Sequence, residues 1–418
     1  MRSRSLSIPA VLFLAAACGS GSKIVEPPPP PPPAGLSVAL TPDADDLVAA
    51  QALGWTNGIP NADVTLMPKD SSAAPRTLKS SSTGAVDFGP VTPGVYIVES
   101  TRWLTTTEVA KLPGSQDVDG WVSKTQLTLT AQGSQQHIAV PASRRKGLVI
   151  SEWAFNVEIF VETSSTYFFG GYLEIFNNAD TTAYLDGLMV VEGFAWDFDY
   201  PNFPCVPFGS QLGLDPTGIW TRRVQQFPGR GRDYPLPAGR SVVVAIDAID
   251  HHAIGAQGID LSHADFEFWG GPGDVDNPAV PNMIDTLSTG RNIQGHGPLF
   301  LGSAITAVLA RPYDKATAPR FVGSDGNEFA KVSRDLILDL ISLYPNFVYI
   351  YPRCVRVVNS VFDQESSDVR GYDENVEWDF SVSRRAIPVP LSSHVILQDS
   401  RNSDADLVRT HRSPGVVP

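Results

Sequence analysis

Residues whose types could do chemistry collect in three places along the 418-residue chain. Phe194, Trp196, Phe198 and Tyr200 alternate with Ala195, Asp197 and Asp199. A strand through them puts the aromatic rings on one side and the carboxylates on the other. Such a face can stack a sugar or another flat ligand between polar edges; equally, the rings can fill a core while the acids meet water. The second group comprises Asp247, Asp250, His251, His252, Asp260, His263, Asp265, Glu267, Asp274 and Asp276. A hard cation such as Ca²⁺ takes roughly six to eight oxygens from acidic loops, which makes Asp265, Glu267, Asp274 and Asp276 the candidate ligands of a structural calcium. The loop Gly270–Asn277 lacks the spacing and closing Glu of an EF-hand. His251 and His252, as neighbours on a strand, would point to opposite faces, and nothing local aims His263 or His296 at the same ion. The third group is the cysteines: Cys18, Cys205 and Cys354.

Templates for catalysis are missing. No G-x-S-x-G elbow, H-E-x-x-H pair or phosphate-cradling loop occurs, and Gly229-Arg230-Gly231 is too short and follows no strand-to-helix pattern. Asp197, Asp199 or Glu174 could be paired for glycoside hydrolysis, but nothing selects them over other acids. The expectation is a protein without enzymatic activity or cofactor, structural calcium aside.

The elements that must position these groups are β-strands. From Gly147 to Val191 three or four strands are separated by turn chemistry. Leu173 and Ile175 share one face, Tyr172, Glu174 and Phe176 the other; Asn177-Asn178-Ala179-Asp180 turns the chain, and Asp186-Gly187 predicts a hairpin. Upstream, residues 36–142 alternate strand-like runs with turns at Gly84 and Pro93-Gly94, and place Tyr96 and Val98 opposite Val95, Ile97 and Glu99. In Ser333–Leu343, Leu336, Ile337, Leu340 and Ile341 fall on one helical face behind a capping Ser333; the competing reading is an edge strand. Phe347–Phe362 reads as strands from its β-branched and aromatic content.

Composition agrees with an all-β chain. Hydrophobic residues make up 42% and Gly and Pro number 35 each, as many short strands and turns require. Length allows two or three domains. The net charge of −14, more negative once Arg2 and Arg4 are lost, disfavours nucleic acid and anionic lipid surfaces as partners.

The first residues give an address. Arg2 and Arg4 precede a short apolar run, Leu6–Ala17, too short to span a bilayer as a mature helix. Ala15-Ala16-Ala17-Cys18 resembles the bacterial lipobox, which implies cleavage after residue 17 and acylation of Cys18, hence a lipid-anchored protein of the bacterial outer membrane or cell surface. Residues 18–35 form the tether: Gly/Ser pairs, then Pro27–Pro33, a polyproline rod of about 20 Å. With Cys18 lipidated, Cys205 and Cys354 remain for a disulfide or as two separate thiols.

Two resemblances organise the rest. The turn, Phe88 and Pro93-Gly94-Val95-Tyr96 pattern within residues 36–142 resembles the carboxypeptidase-regulatory or transthyretin-like β-sandwich, which implies a spacer or docking module without catalytic residues of its own. The order VISE, YLEIFNN, TAYLDGL in residues 147–418 resembles the lamin-tail domain, an immunoglobulin-like sandwich, here with long insertions. More closely, the chain resembles an uncharacterised family of bacterial cell-surface lipoproteins that join these two domains. The blocks that carry this likeness are Gln226–Pro235, Val242–His251, Ile259–Glu267, Asp276–Asn282, Ser381–Arg385 and Leu397–Asp404. The implied architecture is all-β: two β-sandwich (immunoglobulin-like) domains in tandem after the signal (residues 1–17) and the tether, with one or two short helices in the second. The expected role is a non-catalytic, membrane-anchored binding or accessory module for an outer-membrane protein partner or an extracellular ligand. A polysaccharide-active or carbohydrate-binding protein, and a surface adhesin or scaffold, are the alternatives.

Overall fold

The computed structural model describes residues 32–114, 117–145, 147–154, 158–159, 162, 166–167, 169–193, 215–268, 276–288, 306–322, 328–343, 358–367 and 380–417. Cys18, Phe194, Trp196, Phe198, Tyr200, Cys205, Asp274 and Cys354 lie outside these residues. The fold is all-β, with only short helical turns between strands. Among the described residues no helix is long and apolar enough to cross a membrane.

The first unit is two sheets facing one another. Strand Ala34–Pro42 runs between Ala85–Val91, antiparallel, and Ser134–Val140, parallel. Its alternate residues Leu36, Val38 and Leu40 point inward, as a period of two requires. The opposing five-stranded sheet has the order Arg76–Lys79, Asp63–Pro68, Gly94–Trp103, Val118–Leu129, Ala142–Arg144. Tyr96 and Val98 enter the core with Val64, Leu66, Phe88 and Trp121, while Val95 and Glu99 face away. Gly84 is required at its turn: its φ is +78°, and a Cβ there would stand 2.4 Å from the Leu40 carbonyl oxygen.

The second unit stacks three layers. A six-stranded sheet has the order Phe266–Glu267, Ser241–Ala245, Tyr172–Asn177, Leu148–Ala154, Ser381–Arg384, Leu407–Thr410. Against it lies a five-stranded sheet, Ile284–Ser288, Arg223–Gln226, Met189–Gly193, Thr306–Ala310, Ile337–Ser342. Ile150, Trp153, Leu173, Ile175 and Val244 meet Val190, Leu309 and Ile341 between them. On the outer side of the five-stranded sheet, Val191, Val308 and Leu340 pack on Ile219 and Val332 of a three-stranded sheet formed by Gly218–Thr221, Glu328–Ser333 and Arg320–Val322.

This layering corrects the helix expected at Ser333–Leu343. The chain makes one 3-10 turn, Arg334–Leu336, without a side-chain cap from Ser333, and then the edge strand Ile337–Ser342. Leu340 faces the third layer and Ile341 the main core. A strand buried on both faces carries apolar residues on both sides, and here Ile337, Leu338, Leu340 and Ile341 flank Asp339 at spacings that imitate a helical stripe. Two smaller corrections follow from local chemistry. Val358–Phe362, expected as strand, is a turn in which the Asn359 side chain accepts from Val361 N at 3.0 Å and the Phe362 amide donates back to the Asn359 carbonyl. Asp186-Gly187 does turn the chain, but not as a hairpin: Ala183–Tyr184 pairs with Pro235–Leu236, and Met189–Gly193 belongs to the five-stranded sheet.

A buried polar network knits the tail to both large sheets. Arg384, fully buried, donates to both oxygens of Asp339 (2.7 and 2.9 Å), to Asp406 (3.2 Å) and to the carbonyls of Ile150 and Gln398. Asp339 also accepts from the Ile150 amide at 2.7 Å, joining the edge of one sheet to the centre of the other. These residues make structural use of the Ser381–Arg385 and Leu397–Asp404 blocks.

Candidate functional site: a polar cleft at the seam of the two units

The first unit ends its opening strand in the acidic turn Asp43-Ala44-Asp45-Asp46, which winds into the 3-10 turn Ala44–Asp46 because the Asp43 carboxylate accepts from Asp45 N at 3.1 Å. The second unit meets this turn with arginines. Arg401 directs Nη2 inward to buried Asp46 (3.3 Å) and towards Asp43 (3.7 Å), and Nη1 outward to Asp45 (3.1 Å). Arg334 brings Nη2 to the same Asp45 oxygen, at 3.3 Å. From the inter-unit strand, Arg144 pairs with Asp46, which also accepts from the Ala142 amide at 2.7 Å. Gln364 donates to Asp43 at 3.0 Å, and Lys124 pairs with Asp404 at 3.0 Å.

Beside this clasp lies a cleft of about 540 Å³, within the usual range for small-ligand sites and at a junction of units, where such sites concentrate. The first unit lines it with Asp43–Asp45, Ser123–Leu127 and Gln136–Ala139, the second with Arg334, Ser360–Val361, Gln364–Glu365 and Arg401–Asn402. The described lining mixes amides, hydroxyls and charges with the apolar Leu127, Ile138 and Val361, and His137 is among it. Two features fix its floor. Asn402 caps the short helix Ser403–Asp406 by accepting from Ala405 N at 3.0 Å and donates to the Lys124 carbonyl at 3.2 Å. Arg401 holds a left-handed backbone, φ +56°, which costs a non-glycine residue of the order of 1 kcal/mol and is maintained by its surroundings. The Gln364 amide donates to the Arg401 carbonyl at 2.7 Å, part of that support. Chemically, the cleft offers hydrogen bonds and paired charges.

The residues singled out for a cation are placed differently. Asp265 accepts from Val243 N at 2.8 Å, and burial pushes its carboxyl above the usual range. Glu267 accepts from the Ala248 and Asn277 amides at 2.8 and 3.2 Å. Asp276 accepts from Asn282 Nδ2 at 2.6 Å. Each carboxylate thus secures its own loop, and no group of three or more His, Cys, Asp or Glu side chains among the described residues is arranged to hold a metal ion. His251 and His252 lie on a 3-10 turn, His251–Ile254, rather than a strand, and still diverge: His251 is buried and His252 exposed. Burial lowers the His251 pKa to about 4, so its ring is neutral and donates from Nε2 to the Asp247 carbonyl at 3.1 Å. The Gly229-Arg230-Gly231 loop does gather backbone amides, but they are filled: Asp186 accepts from the amides of Gly231, Asp233 and Tyr234 at 2.8 to 2.9 Å. Glu174 is buried in register with Glu152 on the neighbouring strand and accepts from the Gly415 amide at 2.8 Å. Burial pushes its carboxyl up to about 7, with the Glu152 charge adding to the effect.

Sequence reasoning did not single out the cleft. Its arginines and aspartates are ordinary surface residues when read singly; the run Asp43-Ala44-Asp45-Asp46 and the Leu397–Asp404 block were the only local signals.

Residues 237–413 match the family described as Protein of unknown function (DUF4876). The matched stretch contains Arg334, Gln364, Arg401 and Asn402, the second unit's side of the cleft. A crystal structure of a DUF4876 family protein from Bacteroides thetaiotaomicron is similar at 20% identity over 92% of this chain and 96% of that one, with a TM-score of 0.52. That likeness extends the shared fold beyond the matched stretch. Two further solved structures come from Bacteroides. One, from Bacteroides uniformis, is provisionally described as a carbohydrate binding protein (10% identity, 72% of this chain, 98% of that one, TM-score 0.17). The other, from Bacteroides ovatus, is provisionally described as an adhesin (11% identity, 73% and 86%, TM-score 0.19). Their TM-scores are too low to support a fold argument. No curated protein matches the chain.

Proposed function

We propose that this protein is a non-catalytic, lipid-anchored surface protein of the bacterial outer membrane or cell surface that binds an extracellular ligand in the cleft between its two units. The observation that carries the reading is the cleft: a cavity of ligand size at a junction of units, with ion pairs and a helix cap among its lining. The leader with Cys18 and the tether ending at Pro33 support the address, since a body raised about 20 Å on a polyproline rod can present a cleft to the exterior. In this reading the first unit contributes one wall of the site, so it is more than a spacer.

Two measurements test the proposal. Replacing Cys18 with Ala should release the protein from membranes on fractionation; retention of the variant would remove the anchor. Glycan-array binding and crosslinked pull-down from native membranes should lose their signal in Ser360→Trp, which fills the cleft from an exposed position. Equal signals in the variant and the wild type would place the binding surface elsewhere.

A further inference from the structure

We infer that the tail turn at residues 413–416 is a pH-released strap. It stays seated over Glu152 and Glu174 while one of the two carboxyls keeps its proton, and lifts from the outer face of the six-stranded sheet when both are charged.

Val416 N donates to the Ser413 carbonyl at 3.0 Å across Pro414 and Gly415, and Gly415 holds φ +76°. Proline second and glycine third are what a type II turn favours. The closed turn aims its amides at the strand Tyr172–Asn177 and its neighbour. Ser413 N donates to the Tyr172 hydroxyl at 2.9 Å and to Glu152 Oε1 at 3.1 Å, and Ser413 Oγ to Glu152 Oε2 at 3.0 Å. Gly415 N donates to Glu174 Oε2 at 2.8 Å. Val417 packs on the cluster of Val149, Phe176 and Leu397. The tail beyond the strand Leu407–Thr410 pairs with no strand among the described residues, so it can lift without breaking a sheet ladder.

Beneath the turn the charges oppose a permanent seat. Glu152 and Glu174 stand opposite one another in register, 3% and 1% exposed. Among the described residues no Lys, Arg or His forms an ion pair with either. Their other neighbours are neutral hydroxyls: Ser151 and Ser241 beside Glu174, Tyr172 and Ser381 beside Glu152. Arg412, next to the turn, donates to the carbonyls of Phe380 and Gly170 instead. Two carboxylates so placed resist ionising together. Burial, with the Glu152 charge adding to it, raises the Glu174 pKa from 4.5 to about 7 against the pull of the Gly415 amide. Lifting the turn returns both groups to water, where the ionised form is favoured. The seated state thus binds a proton that the lifted state releases. The strap is held in full below about pH 4.5 and loosens as pH climbs to about 7.

The test is hydrogen exchange read by mass spectrometry on the full chain, comparing the wild type with Glu174→Gln, which can still accept from Gly415 and cannot ionise. At pH 4.5 peptides covering residues 411–418 should exchange alike in the two proteins. At pH 8 those of the wild type should exchange at least about ten-fold faster, since each unit between the seated and lifted pKa values is a factor of ten. Peptides from Leu148–Ala154 and Tyr172–Asn177 should stay protected over the same labelling time. Equal tail exchange in the two proteins at pH 8, or a tail that exchanges only together with those strands, would overturn the inference. A second readout needs no variant. Trypsin cleavage after buried Arg412, taken relative to cleavage after exposed Lys79 to cancel the protease's own pH dependence, should rise several-fold from pH 6 to pH 8. A flat ratio would equally overturn it.

Discussion

Glu174 carries a pH dependence whose sign follows from its surroundings. Its carboxyl is buried between strands, opposite Glu152 in register, and accepts from Gly415 N at 2.8 Å and from Ser151 Oγ at 3.3 Å. Burial, reinforced by Glu152, raises its pKa from 4.5 to about 7. The folded state thus binds a proton that the unfolded state releases between these values. Glu174 contributes stability in full below about pH 4.5, and this is lost as pH rises towards 7. The difference corresponds to roughly 3 kcal/mol. Glu174→Gln keeps the shape, with its amide oxygen able to accept from Gly415 and its amino group to donate to the Ser151 hydroxyl, and cannot ionise. Urea unfolding at pH 4.5 and pH 8 measures the effect. At pH 4.5 the variant should match the wild type within about 1 kcal/mol; at pH 8 it should be more stable by roughly 2 to 3 kcal/mol. Asp119 and Asp363, whose buried carboxyls are likewise pushed up to about 7, titrate in both proteins, so the difference between the proteins isolates Glu174. A variant no more stable than the wild type at pH 8 would refute the reasoning.

Other substitutions probe the frame. Arg384→Met leaves Asp339 and Asp406 buried without their cation and should cost about 3 to 5 kcal/mol, read as a lowered urea midpoint. Gly84→Ala forces a Cβ towards the Leu40 carbonyl in a left-handed turn and should lower the melting temperature by several degrees, the cost exceeding about 1 kcal/mol; an unchanged melting temperature would show that the turn can relax. Asp186→Ala removes the acceptor of three backbone amides and should cost about 1 to 2 kcal/mol, with faster hydrogen exchange confined to Gly231, Asp233 and Tyr234.

What the chain says by itself is local. Alternation in Leu36–Leu40 and Gly94–Ser100, the turn at Gly84, and the split of Tyr172–Asn177 into two faces could be read residue by residue, because the period of a strand and the φ demanded by a turn depend on near neighbours. The same logic failed where burial was two-sided: Ile337–Ser342 lies between two apolar layers, so its run carries no mark of period two. It failed again where a partner was distant, as when Asp186 was read as half of a hairpin although its carboxylate is held by amides more than forty residues on. The cleft lay wholly beyond such reading. Asp45 meets Arg334 across 289 residues and Arg401 across 356, and no spacing rule connects them. Side-chain type told which groups could carry charge and which segments would be strands. Only the packing of the two units decided which charges would meet, because charge pairing acts through space and the order of the sheets brings together residues that the chain keeps apart.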